Sequence, residues 1–191
     1  MKGQFLMLLI GATFLSLISF GQSAKIAPFS STIERLFSKV ETDILTTAEA
    51  MPAERFDFTP DSLRLPGAAF DGVRTFAGQI MHLATDNILI WAAITDQKTA
   101  YYIPDVNGPK DIKGKQDVIK YLKYSFEVGR TAIKTITAKN AVEEIEFRWR
   151  KLSKLDLAFY GIVHANEHYG QMVVYLRMCG IIPPPTISRN G

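Results

Sequence analysis

Residues 161–186 read GIVHANEHYGQMVVYLRMCGIIPPPT. In and just before this stretch, Leu157, Gly161, His164, His168, Gln171 and Tyr175 recur at steps of three and four, which is one face of an α-helix. Ser153 stands where an N-cap belongs, Gly180 where a left-handed residue closes a helix, and three prolines follow. The spacing therefore predicts a helix from about Lys154 to Cys179. Two of the chain's three histidines lie four residues apart on its inward seam, with their side chains stacked one above the other. They occupy positions that leucine or isoleucine would otherwise fill. Each buried imidazole brings a polar nitrogen that must find a partner, either a carbonyl or a metal ion.

Three more segments carry helical spacing. The first runs from about Thr32 to Ala50, with Ile33, Leu36, Phe37, Val40, Ile44 and Leu45 on one face and Ser31 with Glu34 as a capping box. The second runs from about Thr75, a plausible N-cap, to Asp96, with Phe76, Ile80, Leu83, Asn87 and Ile90 as its stripe. The third, from about Lys115 to Asn140, shows Ile119, Leu122, Phe126, Gly129, Ile133 and Ile136 in the pattern of a bundle seam. MPAERFDFTPDSLRLPGAAFDGVR, between the first two, has too many prolines and glycines for a helix, and YYIPDVNGPKDIKG joins the next pair as a turn-rich connection. VEEIEFRWRKLS at 142–153 alternates enough for a brief extended piece and no more. The fold class expected is all-α: a four-helix bundle with a long loop between helices one and two.

The composition fits a single globular domain. Apolar residues make up 47% and charged residues 21% of 191, enough to bury a core. The net charge of +3 and the short RWRK cluster at 148–151, read as a solvated patch, exclude nucleic acid as the expected partner. Met1-Lys2, the uncharged run Phe5 to Phe20, and the small residues Gly21 to Ala24 have the layout of a secretory signal peptide over residues 1–23. Cleavage after Gly21 and after Ser23 fit equally. The mature protein is then expected in the periplasm or outside the cell, free of the membrane. Cys179 is the lone cysteine, so no internal disulfide is possible, and it is expected to be buried and inert.

The spelling His164-x-x-Glu167-His168 is that of inverted zinc peptidases. Such an enzyme takes a further carboxylate ligand from downstream, but no Asp or Glu follows Glu167, and the chain is too short for that fold. The third ligand must come from upstream, where His82 is the one remaining histidine. Asp86, one helical turn on, could orient a ligand ring or add an oxygen. Three nitrogens on one ion would lie within about 4 Å of one another.

MHLATDNILIWAA (81–93) and HANEHYGQMVVYLRMCGIIPPP (164–185) together resemble the DinB-like superfamily of four-helix bundles. So do MPAERFDFTP, RTFAGQIMH and the order of the helices, and the likeness spans about residues 30–185. The pattern H-x-x-E-H-Y-G-Q…Y-L-R…G-x-x-P-P with an upstream H-x-x-x-x-N carries its specificity. The resemblance implies one divalent metal held by His82, His164 and His168, with water in the open positions. It also implies activities ranging from metal-dependent thiol transfer to isomerisation, with many members of no known reaction, so it speaks more firmly for the metal than for any chemistry. The thiol-dependent members work in the cytoplasm, where the cosubstrate is abundant and reduced, and an exported chain would meet little of it.

Two functions follow. In one, the chain is a metal-dependent hydrolase or transferase acting on a small-molecule substrate, with Glu167 as the first choice for proton handling and Asp86, Tyr169 and Tyr175 behind it. In the other, it is a non-catalytic metal-binding bundle with a structural or sensor role. Imidazole suits zinc, nickel, iron and copper alike, and manganese also stays open; zinc is the first choice. A homodimer through helix faces is compatible with either.

Overall fold

A computed structural model describes residues 28–184, so the expected signal peptide lies outside the described residues. Four helices carry the structure: α1 (Phe29–Ala50), α2 (Phe76–Thr95), α3 (Gly114–Thr135) and α4 (Lys154–Met178). A small antiparallel hairpin, β1 (Glu144–Phe147) and β2 (Arg150–Ser153), precedes α4. Two short 3-10 turns, Ala53–Arg55 and Pro60–Leu63, punctuate the long connection between α1 and α2. Helices α1 and α2 each pack against both α3 and α4, so they sit diagonally across a shared core. Among the described residues, no helix is long and apolar enough to cross a membrane.

Helix ends follow local chemistry. At α2 the Thr75 hydroxyl accepts from Gly78 N–H at 3.0 Å, the expected cap. At α4, Ser153 and Asp156 form a reciprocal capping box. Its far end is a Schellman motif, in which Ile181 N–H donates to Leu176 O and Gly180 N–H to Arg177 O, with Gly180 at φ +75°. The expected box at Ser31 and Glu34 does not form: α1 begins earlier, at Phe29, and the Ser31 hydroxyl donates to Pro28 O instead. Helix α3 stops at Thr135, short of Asn140. The Asn140 side chain donates to Thr135 O at 2.9 Å and accepts from Thr137 N–H at 2.7 Å, closing the chain into a turn. The extended piece at 142–153 is a full two-stranded hairpin, registered Glu144 to Ser153 and Phe147 to Arg150.

The core is built around α2, which is buried nearly all round. Phe37 of α1 meets Trp91 of α2 edge-on at 5.1 Å and Phe126 of α3 at 5.5 Å. Gly129 makes room for that ring: a Cβ there would lie 2.3 Å from Phe37 Cζ. All six residues of the expected α3 seam are buried. Leu36 on α1 and Gln171 on α4, both expected to face inward, are exposed, and Met172 takes the place of Gln171. Cys179 is half-buried rather than buried, at the C-cap of α4.

Candidate metal centre

Gln79, His82 and Asp86 lie at i, i+3 and i+7 on α2, so one face of that helix presents all three. His164 and His168 face it from α4. Gly161, one turn before His164, lets the helices approach, since a Cβ there would sit 3.0 Å from Trp91 Cζ2. The three imidazoles consequently meet, with ring centroids 5.4 Å apart for His82 and His164, 4.9 Å for His82 and His168, and 4.7 Å for His164 and His168. One ligand atom from each lies within 4.8 Å of the others, and no other residue joins this cluster among those described. An ion holding all three would draw them to about 3.4 Å, the separation of two nitrogens in a tetrahedral site with bonds of ~2.1 Å.

Hydrogen bonds fix which nitrogens are available. His82 Nδ1 lies 2.7 Å from Val106 O, and a carbonyl can only accept, so Nδ1 carries the proton and Nε2 keeps its lone pair. His168 Nδ1 lies 2.7 Å from Gln79 Oε1. The Tyr175 hydroxyl donates to Arg74 O at 2.9 Å, and the Gln79 amide also hydrogen-bonds Tyr175. Since the tyrosine proton is committed to Arg74 O, the Gln79 NH2 must donate to the phenol oxygen. Its Oε1 is thereby turned to His168, which must donate from Nδ1 and leave Nε2 bare. His164 differs: its Nδ1 is buried with no hydrogen-bond partner, and its Nε2 lies 3.6 Å from Asp86 Oδ2, too far for a hydrogen bond.

Burial keeps the two α4 rings neutral. It lowers the His164 pKa, against a raising effect from Asp86 and a further lowering by His82. It pushes His168 down to about 3, reinforced by the charges His164, His82 and Arg74 would carry. A neutral imidazole has the lone pair a metal needs, and an unpartnered buried nitrogen is what a missing cation leaves behind. The donor set fits a divalent ion.

Asp86 is buried, and Arg148 Nη2 donates to its Oδ1 at 2.8 Å. Arg148 comes from the hairpin turn and is more than the solvated charge expected of RWRK. Its neighbour in α2 is 62 positions away in sequence, so no local pattern announces the pair. Glu167 is exposed on the α4 flank, near enough to His164 to act on its pKa. Tyr169 is half-buried, and Tyr175 is committed to the Gln79 network.

A family model described as the DinB superfamily matches residues 36–172. Two solved structures are similar. A DinB-like protein from Bacillus cereus ATCC 10987 has a TM-score of 0.61 at 16% identity, over 81% of this chain and 95% of that one. A conserved protein from Enterococcus faecalis has a TM-score of 0.61 at 15% identity, over 80% of this chain and 97% of that one. At such identities the likeness speaks for the fold alone. No curated protein matches the chain.

Proposed function

The chain belongs to the DinB superfamily, and from that premise we propose that it binds one divalent metal through His82, His164 and His168 in a DinB-type four-helix bundle, and uses it in hydrolysis or group transfer on a small molecule. The observation that carries this reading is the donor set: two Nε2 lone pairs held free by fixed partners, and one buried nitrogen without a partner. Arg148 engages one oxygen of Asp86, and among the described residues the ligand cluster holds the three histidines and no carboxylate. Three protein ligands with an open position are the pattern of catalytic sites, whereas structural sites are closed. Held by neutral nitrogens, such an ion would supply Lewis acidity, polarising a carbonyl or acidifying a water or thiol.

The chain's own residues have separable parts. Val106 O and Gln79 set the tautomers of His82 and His168. Arg148 compensates the buried charge of Asp86. Glu167, exposed beside both α4 histidines, is the candidate to take a proton from the attacking group and return it to the leaving group. A second reading, metal binding without catalysis, draws support from burial: His82 and His164 are each only 9% exposed, and His168 is 6% exposed. We also propose export, with mature chains beginning near Gln22 or Ala24 when recovered from periplasm or medium and sequenced. Export would favour hydrolysis over cytosolic thiol chemistry.

The test is elemental analysis of the purified mature protein, followed by a panel of esters, amides, lactones and electrophiles with and without chelator. About one metal per chain, lost in His168→Ala together with turnover, supports the enzyme. Metal without any turnover across the panel moves the assignment to the non-catalytic reading, and absence of metal overturns both.

A further inference from the structure

Next to the histidines the hairpin encloses a small cavity of about 100 Å3, lined by Phe147, Arg148, Trp149, Arg150, Leu152 and Tyr160. It adjoins the candidate metal centre, because the Tyr160 ring lies 5.9 Å from that of His164 and is tilted only 31° from it. Arg148 bridges the two: it lines the cavity, and its Nη2 reaches Asp86, whose other oxygen is 3.6 Å from His164 Nε2.

Three features of this corner ask for a ligand. First, Arg148 holds φ +55° in the turn between β1 and β2, a left-handed conformation that disfavours any side chain and would suit glycine. Second, the lining has two arginines and no acidic residue. One hydrogen bond to Asp86 uses a single donor of the five on the Arg148 guanidinium, which is held in place over the Phe147 ring at 5.1 Å. Third, the aromatic walls are open to solvent, with Trp149 82% and Tyr160 41% exposed. A guanidinium needed only to neutralise Asp86 calls for neither the exposed indole nor a second arginine. Aromatic side chains and arginine are the residues enriched where surfaces bind partners, and a bidentate fork suits a carboxylate. A dry cavity of about 150 Å3 holds benzene; this one, at about 100 Å3, is smaller, so a flat ring would fill it and project past its open rim, where Trp149 and Tyr160 are exposed.

We propose that this cavity binds a small aromatic carboxylate, with its carboxylate on Arg148 and its ring between Trp149 and Tyr160. As the substrate pocket of the metal centre it rests on the function proposed above, but binding itself does not.

The probes are benzoate, its neutral counterpart benzamide and the ringless anion acetate. Each is titrated into the mature protein in chelated and zinc-loaded forms, following the indole N–H resonance of Trp149 by NMR. The fully buried Trp91 serves as internal control. Benzoate should shift Trp149 saturably in both forms, with benzamide and acetate at least tenfold weaker. Arg148→Gln should weaken benzoate at least tenfold and leave benzamide unchanged. Because that variant strands Asp86, the double variant Asp86→Asn/Arg148→Gln, which removes both charges, should show the same loss. Tyr160→Leu should weaken both ring compounds. Benzamide binding as tightly as benzoate, or the double variant binding benzoate like wild type, overturns the proposal. Failure of zinc to bind, with benzoate still bound by the chelated protein, overturns the metal reading and leaves this one standing.

Discussion

Replacing Gln79 by Leu tests whether the hydrogen-bond chain from Arg74 to His168 prepares a metal ligand. Leucine keeps most of the volume but removes the acceptor for His168 Nδ1–H, a contact of 2.7 Å on a ring only 6% exposed. To present Nε2, the ring must then hold an unpaired buried N–H, which costs about 1–3 kcal/mol. At ~1.4 kcal/mol per factor of ten, the zinc Kd should rise about five- to 150-fold. The alternative tautomer escapes that cost but places the proton on Nε2, which forfeits the ligand. Gln79→Glu retains an acceptor and should bind zinc within about threefold of wild type, or more tightly, as carboxylates do when they orient ligand histidines. The assay is competition for zinc against a chromophoric chelator, with circular dichroism to establish that each variant is folded. Nitrogen-15 chemical shifts of His168 report the tautomer independently. A folded Gln79→Leu protein with wild-type zinc affinity refutes the reasoning, as does Gln79→Glu binding as weakly as Gln79→Leu.

Zinc at about 100 times its Kd should stabilise the domain by ~2.7 kcal/mol, or about 5–10 °C in Tm at this size; an unchanged Tm after verified chelation would leave the ion no structural part. Gly129→Ala should lower Tm by several degrees in a thermal scan: a Cβ 2.3 Å from Phe37 Cζ brings overpacking of about 1–3 kcal/mol, more than the ~1 kcal/mol gained in helix propensity. In metal-free protein, His168 should stay neutral by NMR from pH 7 down to about 4, since burial pushes its pKa down to about 3. The unfolded imidazole takes up its proton near pH ~6.5, so this group's contribution to stability is intact above that value and is lost as pH falls towards 3; a ring titrating near ~6.5 in the folded protein would contradict it. Glu167→Gln should retain metal and lower turnover about 100-fold if the carboxylate handles the proton; unchanged turnover would pass that role to Asp86.

The α4 pair could be read in advance because it sits on a periodic helix, where position in sequence dictates facing. The α3 seam was legible for the same reason. His82, outside the expected α2 stripe, was reached as the one remaining histidine and through the family resemblance. Gln171 misled because steps of three and four both suit a helical face; apolar Met172, four residues beyond His168, was the signal that the buried stripe continues there. Leu36 failed differently: exposed leucines are common, and apolar character does not by itself dictate burial. The end of α3 is set by an asparagine side chain folding back on the backbone, a capping device written in one residue rather than a period. Arg148 was out of reach altogether, since its meaning depends on a hairpin docking its turn against a helix 62 residues distant.

The two oriented histidines differ in how they answer to mutation. Gln79 is a side chain, so any scan of substitutions can find it. The partner of His82 is the main-chain carbonyl of Val106, which every amino acid supplies. Alanine at 106 would leave it in place, so a conventional scan would report nothing there. What holds this carbonyl in position is the path of the 96–113 connection. Near it Gly108 turns at φ +83°, where a Cβ would lie 2.5 Å from Thr85 Oγ1. Point substitutions along that connection are therefore largely silent towards His82, while a single inserted or deleted residue, or a side chain at 108, shifts the acceptor. One half of the site drifts with residue identity, the other with loop length, and the two are exposed to different kinds of genetic change.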